Sequence, residues 1–311
     1  MALSDVIQKQ KPAPPIITLV GTPGVGKTTL GALFPKAVFI CSEDGKAVFD
    51  SWDDDVKPDL FTELPRAKYR DANGNMLAPN RVVSTKEVIL EQMRMLLNEE
   101  HDYKTLVVDS VTSLDRMFNH ELCERDGVDN VAEASGGFHK GYDTIAEWHG
   151  DVKNACEVLR KRKGMTVIFL AHAGIKKMKN RPDADEYTVY SLDMHEKSVP
   201  VYTNLVDAVI YIKNKEYVMG TQKDKKGNVT KFGRLTQTGD RVLITSGDGT
   251  VGYINAKNRY KLDQEIELPE GENPLLSMIP YFYKKEKEII SESIEQKTAE
   301  EPAQTLIEEG K

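Results

Sequence analysis

The chain has 311 residues, of which 40% are apolar, so it can form one large domain or two small ones around a sizeable core. Its net charge of −7 argues against a protein that coats duplex DNA by bulk charge, but it leaves room for a local basic groove. Three cysteines without a C-x-x-C pair suit a reducing compartment and give no zinc site.

The first residues of the chain predict a flexible leader. Residues 1–15 end in the proline-rich stretch PAPP, and they lack the apolar run of a signal peptide. No run of about 18 apolar residues occurs anywhere in the sequence, so no transmembrane helix is expected. We therefore expect a cytoplasmic protein without membrane contact.

The pattern of apolar residues then predicts alternating strands and helices. Continuous apolar runs rich in β-branched residues predict buried parallel strands at 16–20, 37–40, 105–109 and 166–172. Helical spacing of apolar residues predicts helices at 28–34, 85–100 and 114–124, and a long helix that ends near residue 163. Residues 45–80, with room for an inserted hairpin, and 126–141 are expected to be irregular.

The rest of the chain completes the predicted fold. Residues 173–200 are polar and lysine-rich and predict a loop, and strands resume at 206–213 with a hairpin turn at 226–228. Strands that alternate with helices predict a doubly wound, mostly parallel α/β sheet. We expect a leader at 1–15, a core at 16–265, and a C-terminal helix with an acidic, disordered tail at 266–311.

The segment GTPGVGKT (21–28) carries the clearest chemistry. It matches G-x-x-x-x-G-K-[ST] in full and lies between a predicted buried strand and a helix, as a P-loop requires. Its glycines let backbone N–H groups converge on one point, Lys27 can reach the β- and γ-phosphates, and Thr28 can ligate Mg²⁺. We predict that ATP and magnesium bind here, through Gly21, Thr22, Pro23, Gly24, Val25, Gly26, Lys27, Thr28 and Thr29.

Acidic residues follow two of the predicted strands. Asp109 ends the strand TLVVD, where such sheets bind ligands, so we assign it to magnesium beside Thr28. Its alternative use is as the N-cap of the next helix. Many ATPases place a water-activating glutamate directly after this aspartate, but here that position is Ser110. If the chain hydrolyses ATP, the base must come from elsewhere. Glu43 is our candidate, with Asp44 as its competitor and a solvated acidic turn as the alternative.

His172 ends the fourth predicted strand, and a polar side chain there can sense the γ-phosphate, with a purely structural role as the alternative. The loop after it has cations that can track phosphates, and Tyr187 and Tyr190 can stack on bases. Nearby acidic residues leave a solvated loop as the alternative. We predict contacts to single-stranded DNA through Lys176, Lys177, Lys179 and Arg181.

Two further cations, Lys257 and Arg259, alternate in the segment AKNRYKL (256–262). On a strand their side chains point the same way, and two cations near a sheet edge can reach a neighbour's phosphates as an arginine finger does. On spacing alone, an exposed strand face is the better interpretation.

Taken in order, the segments GTPGVGKTT, FICSEDG, TLVVDSVTSL, VIFLAH and AKNRY resemble the RecA-like P-loop ATPases. More closely, they resemble the phage-encoded single-strand annealing and recombination ATPases, over most of residues 16–265. The resemblance implies that Glu43 is the catalytic glutamate. It also implies that His172 is the polar sensor, where glutamine is commoner, and that Lys257 and Arg259 act in trans.

The same resemblance implies two DNA loops, around 126–141 and 174–200, and a P-loop NTPase fold of RecA type. We predict ATP-dependent binding of single-stranded DNA that promotes annealing or strand pairing in phage-type recombination, in the host cytoplasm if the protein is phage-encoded. The implied partners are single-stranded DNA, further copies of the chain in a ring or filament, and a single-strand DNA-binding protein.

Two alternatives come from other classes of protein. One is a nucleotide-dependent regulatory protein that hydrolyses ATP slowly and acts on other proteins. The other is a P-loop kinase, which fits less well because no arginine-rich lid segment is visible. Among the DNA activities, annealing, strand exchange and unwinding all stay open.

Overall fold

A computed structural model of the protein describes residues 12–44, 46–178, 187–223, 229–231, 233–246 and 256–284. The chain divides into two compact units, Pro14–Asn273 and a second unit made of Met1–Ala13 with Pro274–Lys311. The first unit contains the sheet and every residue that the sequence assigns to nucleotide or DNA.

Strands and helices alternate in the first part of the larger unit. The strands are β1 (Ile16–Gly21), β2 (Ala37–Cys41), β3 (Asp59–Leu60), β4 (Thr105–Asp109), β5 (Thr166–Met178) and β6 (Tyr187–Leu192). The helices are α1 (Lys27–Ala32), α2 (Thr85–Asn98), α3 (Val111–Asp126), α4 (Lys140–Lys163) and α5 (Val199–Thr203). No helix in the described ranges is both long enough and apolar enough to span a membrane.

The second part of this unit is built mainly from strands. They are β7 (Ala208–Met219), β8 (Gln222–Lys223), β9 (Val229–Lys231), β10 (Arg234–Ile244), β11 (Lys257–Asn258) and β12 (Glu265–Leu268). Strands β8 and β9 pair antiparallel on either side of the hairpin turn predicted at 226–228, and that turn lies outside the described residues.

The main sheet has the order β12-β10-β7-β1-β5-β4-β2-β3. The strands from β7 to β3 run parallel. Strand β10 pairs antiparallel with β7, and β12 pairs antiparallel with β10. Strands β1, β2 and β4 are buried along their whole length, as their continuous apolar sequences predict. This architecture confirms the predicted doubly wound α/β fold of the P-loop type.

Different helices cover the two faces of the sheet. On one face, Val108 and Phe169 belong to a core cluster that also includes apolar residues of α2, α3 and α4. On the other face lies α1, where a Cβ added to Gly31 would be 3.2 Å from Val107 Cγ1. Since Val107 and Val108 are neighbours in β4, alternate residues of this strand serve opposite cores.

The structure corrects the prediction of a loop at 173–200. Strand β5 continues beyond His172 to Met178 and pairs antiparallel with β6, from Ala173 opposite Leu192 to Met178 opposite Tyr187. The segment is therefore mainly a β-hairpin. Strand pairing provides hydrogen-bond partners for backbone N–H and C=O groups, and it does so for polar sequences as well as for apolar ones. Residues 179–186, between the two paired strands in the sequence, lie outside the described residues.

In the smaller unit, helix α6 covers Leu275–Met278. The Ile279 N–H donates to the Leu275 carbonyl over 2.9 Å, so a single helical turn is formed where the sequence predicts the start of a helix. The predicted acidic tail beyond residue 284 lies outside the described residues.

Candidate nucleotide-binding site

The P-loop, residues 21–28, connects the carboxyl end of β1 to α1. Gly24 and Gly26 have φ angles of 76° and 100°, in the left-handed region that favours glycine. At Gly21 a Cβ would lie 2.7 Å from Val25 Cγ1 and 2.8 Å from the Ile212 carbonyl oxygen, so no side chain fits there. The glycines of the motif are thus required by backbone conformation and by close packing.

The Lys27 side chain forms hydrogen bonds within the P-loop. Its Nζ donates to the carbonyl oxygens of Gly21 and Thr22 over 3.0 and 2.9 Å, and the side chain is buried. Burial lowers the pKa of Lys27, while the charges of Asp109 and Glu43 act in the opposite direction. The ammonium group therefore lies inside the loop, held by carbonyl oxygens of the loop itself.

The predicted magnesium residues are in direct contact. The Thr28 hydroxyl donates to Asp109 Oδ2 over 2.7 Å, and Asp109 is only 5% exposed. Burial raises the pKa of Asp109 to about 6, opposed by the hydrogen bond from Thr28. No cluster of three or more His, Cys, Asp or Glu side chains suited to a metal occurs among the described residues. A hydroxyl and one carboxylate fit Mg²⁺, which takes its remaining oxygens from phosphates and water.

His172 connects the P-loop lysine to the predicted base. Its Nδ1 lies 3.4 Å from Lys27 Nζ, and its Nε2 lies 3.3 Å from Glu43 Oε1. A ring that accepts at Nδ1 and donates at Nε2 satisfies both contacts. The hydrogen bond from His172 is the main reason why the pKa of Glu43 is lowered, so Glu43 stays ionised. Asp44 is exposed and takes part in none of these contacts.

A serine network fixes the ends of β2 and β4 against each other. Ser42 Oγ donates to the Ser110 carbonyl over 2.6 Å and accepts from the Ser110 N–H over 2.9 Å. Ser113 Oγ donates to the Ser42 carbonyl, and Ser110 is the N-cap of α3, accepting from the Ser113 N–H over 3.1 Å. Ser110, and not Asp109, thus caps the helix, and the network positions Glu43 beside Asp109. Ser42 and Ser113 could not be predicted from the sequence, because isolated serines belong to no recognisable motif.

A family model described as an AAA domain matches residues 13–260, which is most of the chain. The chain belongs to this AAA domain family. It is an AAA-type P-loop ATPase, and the match contains the whole site described above.

Among solved structures, the chain is similar to the crystal structure of the RadB recombinase. The two are 13% identical over 84% of this chain and 90% of that chain, with a TM-score of 0.41. No curated protein matches the chain.

In this AAA domain the predicted finger residues lie far from their own P-loop. Lys257 pairs with Val209 in the β11–β7 ladder, and its Nζ donates to the Asn204 carbonyl over 2.7 Å. Strand β11 ends at Asn258, so Arg259 lies in the following turn, where it donates to Asp207 Oδ1 over 3.1 Å.

Asp207 lies at the amino ends of the parallel strands, beside Lys257 and Arg259. Its Oδ2 accepts from the Ile16 N–H over 3.0 Å and pairs with Arg160 over 3.0 Å. Ile16 begins β1, whereas the P-loop follows the other end of that strand. Lys257 and Arg259 therefore lie at the amino ends of the parallel strands. The nucleotide of their own chain would bind at the carboxyl ends of the same strands.

Two of the predicted DNA-binding cations, Lys176 and Lys177, lie on strand β5 of the β5–β6 hairpin in the AAA domain. Lys176 pairs with Glu196 over 3.3 Å, Lys177 is exposed, and Lys179 and Arg181 lie outside the described residues. Ile175, between these cations and His172, is 72% exposed. The hairpin thus presents both charge and apolar surface to solvent.

An aromatic contact that the sequence did not predict joins the second segment assigned to DNA to the residue that directly follows the first. The rings of Tyr142, at the start of α4, and His195, after β6, stack with centroids 3.8 Å apart and an interplanar angle of 9°. Phe138, just before α4, is 91% exposed. No periodic signal marks these residues, since they come together only through the fold.

Proposed function

We propose that this ATPase hydrolyses ATP with magnesium and couples hydrolysis to the binding of single-stranded DNA. In this proposal the protein is RecA-like and promotes annealing or strand pairing in phage-type recombination. One observation carries the proposal. His172, which touches Lys27 and Glu43, lies in the same strand as the hairpin cations Lys176 and Lys177. One continuous strand therefore connects the nucleotide site to the hairpin cations.

For hydrolysis, a water oxygen attacks the γ-phosphorus while Glu43 accepts a proton from that water. The bond from the γ-phosphorus to the bridging oxygen breaks, and ADP leaves. Lys27 neutralises charge on the β- and γ-phosphates. Thr28 and Asp109 are the residues that would hold Mg²⁺, which supplies further positive charge to the phosphates.

For DNA binding, the hairpin cations contact phosphates and exposed rings stack on unpaired bases. Phe138 has the exposure that stacking needs, and the Tyr142–His195 stack links its segment to the end of the hairpin. The chain's net charge of −7 fits a local interface of this kind and not one spread over the surface.

Coupling requires that DNA favours one arrangement of the active site over another. A strand displaced at Lys176 moves His172, and His172 contacts both the phosphate-binding lysine and the ionised Glu43. DNA that orders the hairpin would thereby orient the base toward its water.

The proposed assembly is a ring or filament of identical chains, with Lys257 and Arg259 of one chain directed at the nucleotide of the next. Their position at the sheet edge away from their own P-loop supports this arrangement. A single-strand DNA-binding protein is the further partner that we propose.

ATPase assays with and without single-stranded DNA test the proposal. We expect magnesium-dependent hydrolysis that single-stranded DNA stimulates and that duplex DNA of equal length stimulates less. Lys27→Ala should abolish activity under all conditions, which excludes a contaminating ATPase. A rate that single-stranded DNA does not change would contradict the coupling and favour the regulatory alternative.

A further inference from the structure

A second cation lies against the P-loop, and no motif of the sequence pointed to it. The guanidinium of Arg241, in β10, occupies the space beside Gly26. A Cβ added to Gly26 would lie 3.5 Å from Arg241 Cζ and would overlap Nη1. The φ of 100° at Gly26 favours glycine, and the absence of a Cβ lets the arginine side chain pack directly on the loop.

Arg241 reaches the P-loop because of a local irregularity in β10. The register between β10 and β7 shifts between Gln237 and Arg241, and Gly239 inside this bulge has a φ of 89°. A bulge re-aims the side chains that flank it. After the bulge, Arg241 pairs with Asn214 of β7, which lies two residues after the Ile212 that packs against Gly21. Residues two apart on a strand point to the same face, so the Arg241 side chain lies on the face of the sheet that α1 covers.

The guanidinium has no acidic partner within the described part of the chain. No ion pair or hydrogen bond joins the Arg241 guanidinium to another described residue, and the nearby Glu267 is paired with Lys215 over 3.1 Å. An arginine remains protonated at any physiological pH and carries five N–H donors. The partly buried Arg241 lies beside a phosphate-binding loop and its guanidinium has no acceptor among the described residues. Such a group can bind an anionic ligand.

We propose that Arg241 binds the phosphate chain of the nucleotide held by its own P-loop. The inference rests on nucleotide binding at that loop and does not depend on DNA. The planar guanidinium can donate two parallel hydrogen bonds to phosphate oxygens, which a lysine cannot do. Arg241 acts within one chain, whereas Lys257 and Arg259 lie at the other edge of the sheet.

Equilibrium titration with fluorescent ATP and ADP analogues, without DNA, tests this assignment. We expect Arg241→Ala to weaken the binding of both nucleotides about tenfold or more, the loss typical of a hydrogen bond to a charged group. Arg241→Lys keeps the positive charge but cannot donate two parallel hydrogen bonds. Its nucleotide affinity should lie between that of Arg241→Ala and that of the parent. Arg234→Ala removes an exposed arginine from the same strand and should bind like the parent.

Two results would overturn the assignment. One is parent affinity for ATP and ADP in a folded Arg241→Ala variant, with folding checked by an unchanged melting temperature. The other is an equal loss of affinity for adenosine, which has no phosphate. Failure of the proposed function looks different, because then DNA does not stimulate hydrolysis while the effect of Arg241 on binding persists. If the parent binds neither nucleotide, both proposals fail together.

Discussion

The Thr28 hydroxyl donates a hydrogen bond to Asp109 over 2.7 Å, although 81 positions separate the two residues in the chain. The contact joins the P-loop to the end of β4, across the intervening strand β5. Burial raises the pKa of Asp109 to about 6. If this carboxylate holds magnesium as we propose, a proton and the metal ion should compete for it near that pH.

Magnesium-dependent ATP binding should therefore weaken as the pH falls through about 6, because protonated Asp109 cannot serve a cation. The pH dependence of ATP affinity, measured with and without Mg²⁺, checks this. Asp109→Asn should bind ATP weakly at every pH and should lose the magnesium-dependent step. A parent protein whose magnesium dependence is the same at pH 5 and pH 8 would contradict the assignment.

The free protein gives an independent control on the same residue. The pKa of Asp109 is raised above its ordinary value of 3.8, so the folded state holds the proton more tightly than the unfolded state does. This group's contribution to stability is thus present below about pH 4 and is lost as the pH rises toward 6. In thermal unfolding, Asp109→Asn should remove that part of the pH dependence.

Glu43→Gln should bind ATP nearly as the parent does but hydrolyse it about 10²–10⁴ times more slowly, the usual loss when a general base is removed. The lowered pKa of Glu43 means that the parent's base stays ionised well into the acidic range. Single-turnover hydrolysis, together with nucleotide titration, separates the two effects. Asp44→Asn is the matched control, since Asp44 is exposed and should leave the rate unchanged. The reverse pattern would show that Asp44 is the base.

The DNA-binding prediction concerns the salt dependence of affinity. Replacing Lys176, Lys177, Lys179 and Arg181 together by alanine should weaken single-stranded DNA binding. The log–log salt slope should fall by about 0.7 for each DNA phosphate that the variant no longer neutralises. Lys161→Ala with Arg162→Ala, at the far end of α4, is the control of like charge. An unchanged slope in the quadruple variant would place the DNA-binding cations elsewhere.

Features that depend on a few neighbouring residues could be predicted from the sequence. The P-loop is one short motif, Asp109 ends an apolar run, and Glu43 closely follows another, and both runs are strands in the structure. His172 also ends an apolar run, but its strand continues to Met178. The hairpin after His172 was wrongly predicted as a loop, because its many lysines resemble solvated coil. Arg241 could not be found at all, since its approach to Gly26 depends on a bulge in a distant strand.

The last prediction concerns Lys257 and Arg259 as a finger that acts on the neighbouring chain. In one chain Arg259 is held by Asp207, at the sheet edge away from the P-loop, so any catalytic role requires a second chain. A cation supplied in trans stabilises the charge of the phosphoryl-transfer transition state and is worth about 10³–10⁵ in rate. The double alanine variant should bind ATP almost normally and hydrolyse it poorly, whereas Lys231→Ala should match the parent in both assays.

Mixing two inactive variants decides whether the finger acts in trans. Glu43→Gln keeps Lys257 and Arg259 but cannot activate water, and the double alanine variant keeps Glu43 but offers its neighbour no cation. In a mixed assembly some interfaces pair an intact Glu43 with an intact finger, so part of the ATPase activity should return. Subunit exchange, measured by energy transfer between labelled chains, must accompany the assay.

If chains exchange and no activity returns, the finger does not act in trans. A double alanine variant that hydrolyses ATP at the parent rate would leave these two residues only the role that their hydrogen bonds to Asp207 and Asn204 already show, which is to fix the amino end of the sheet.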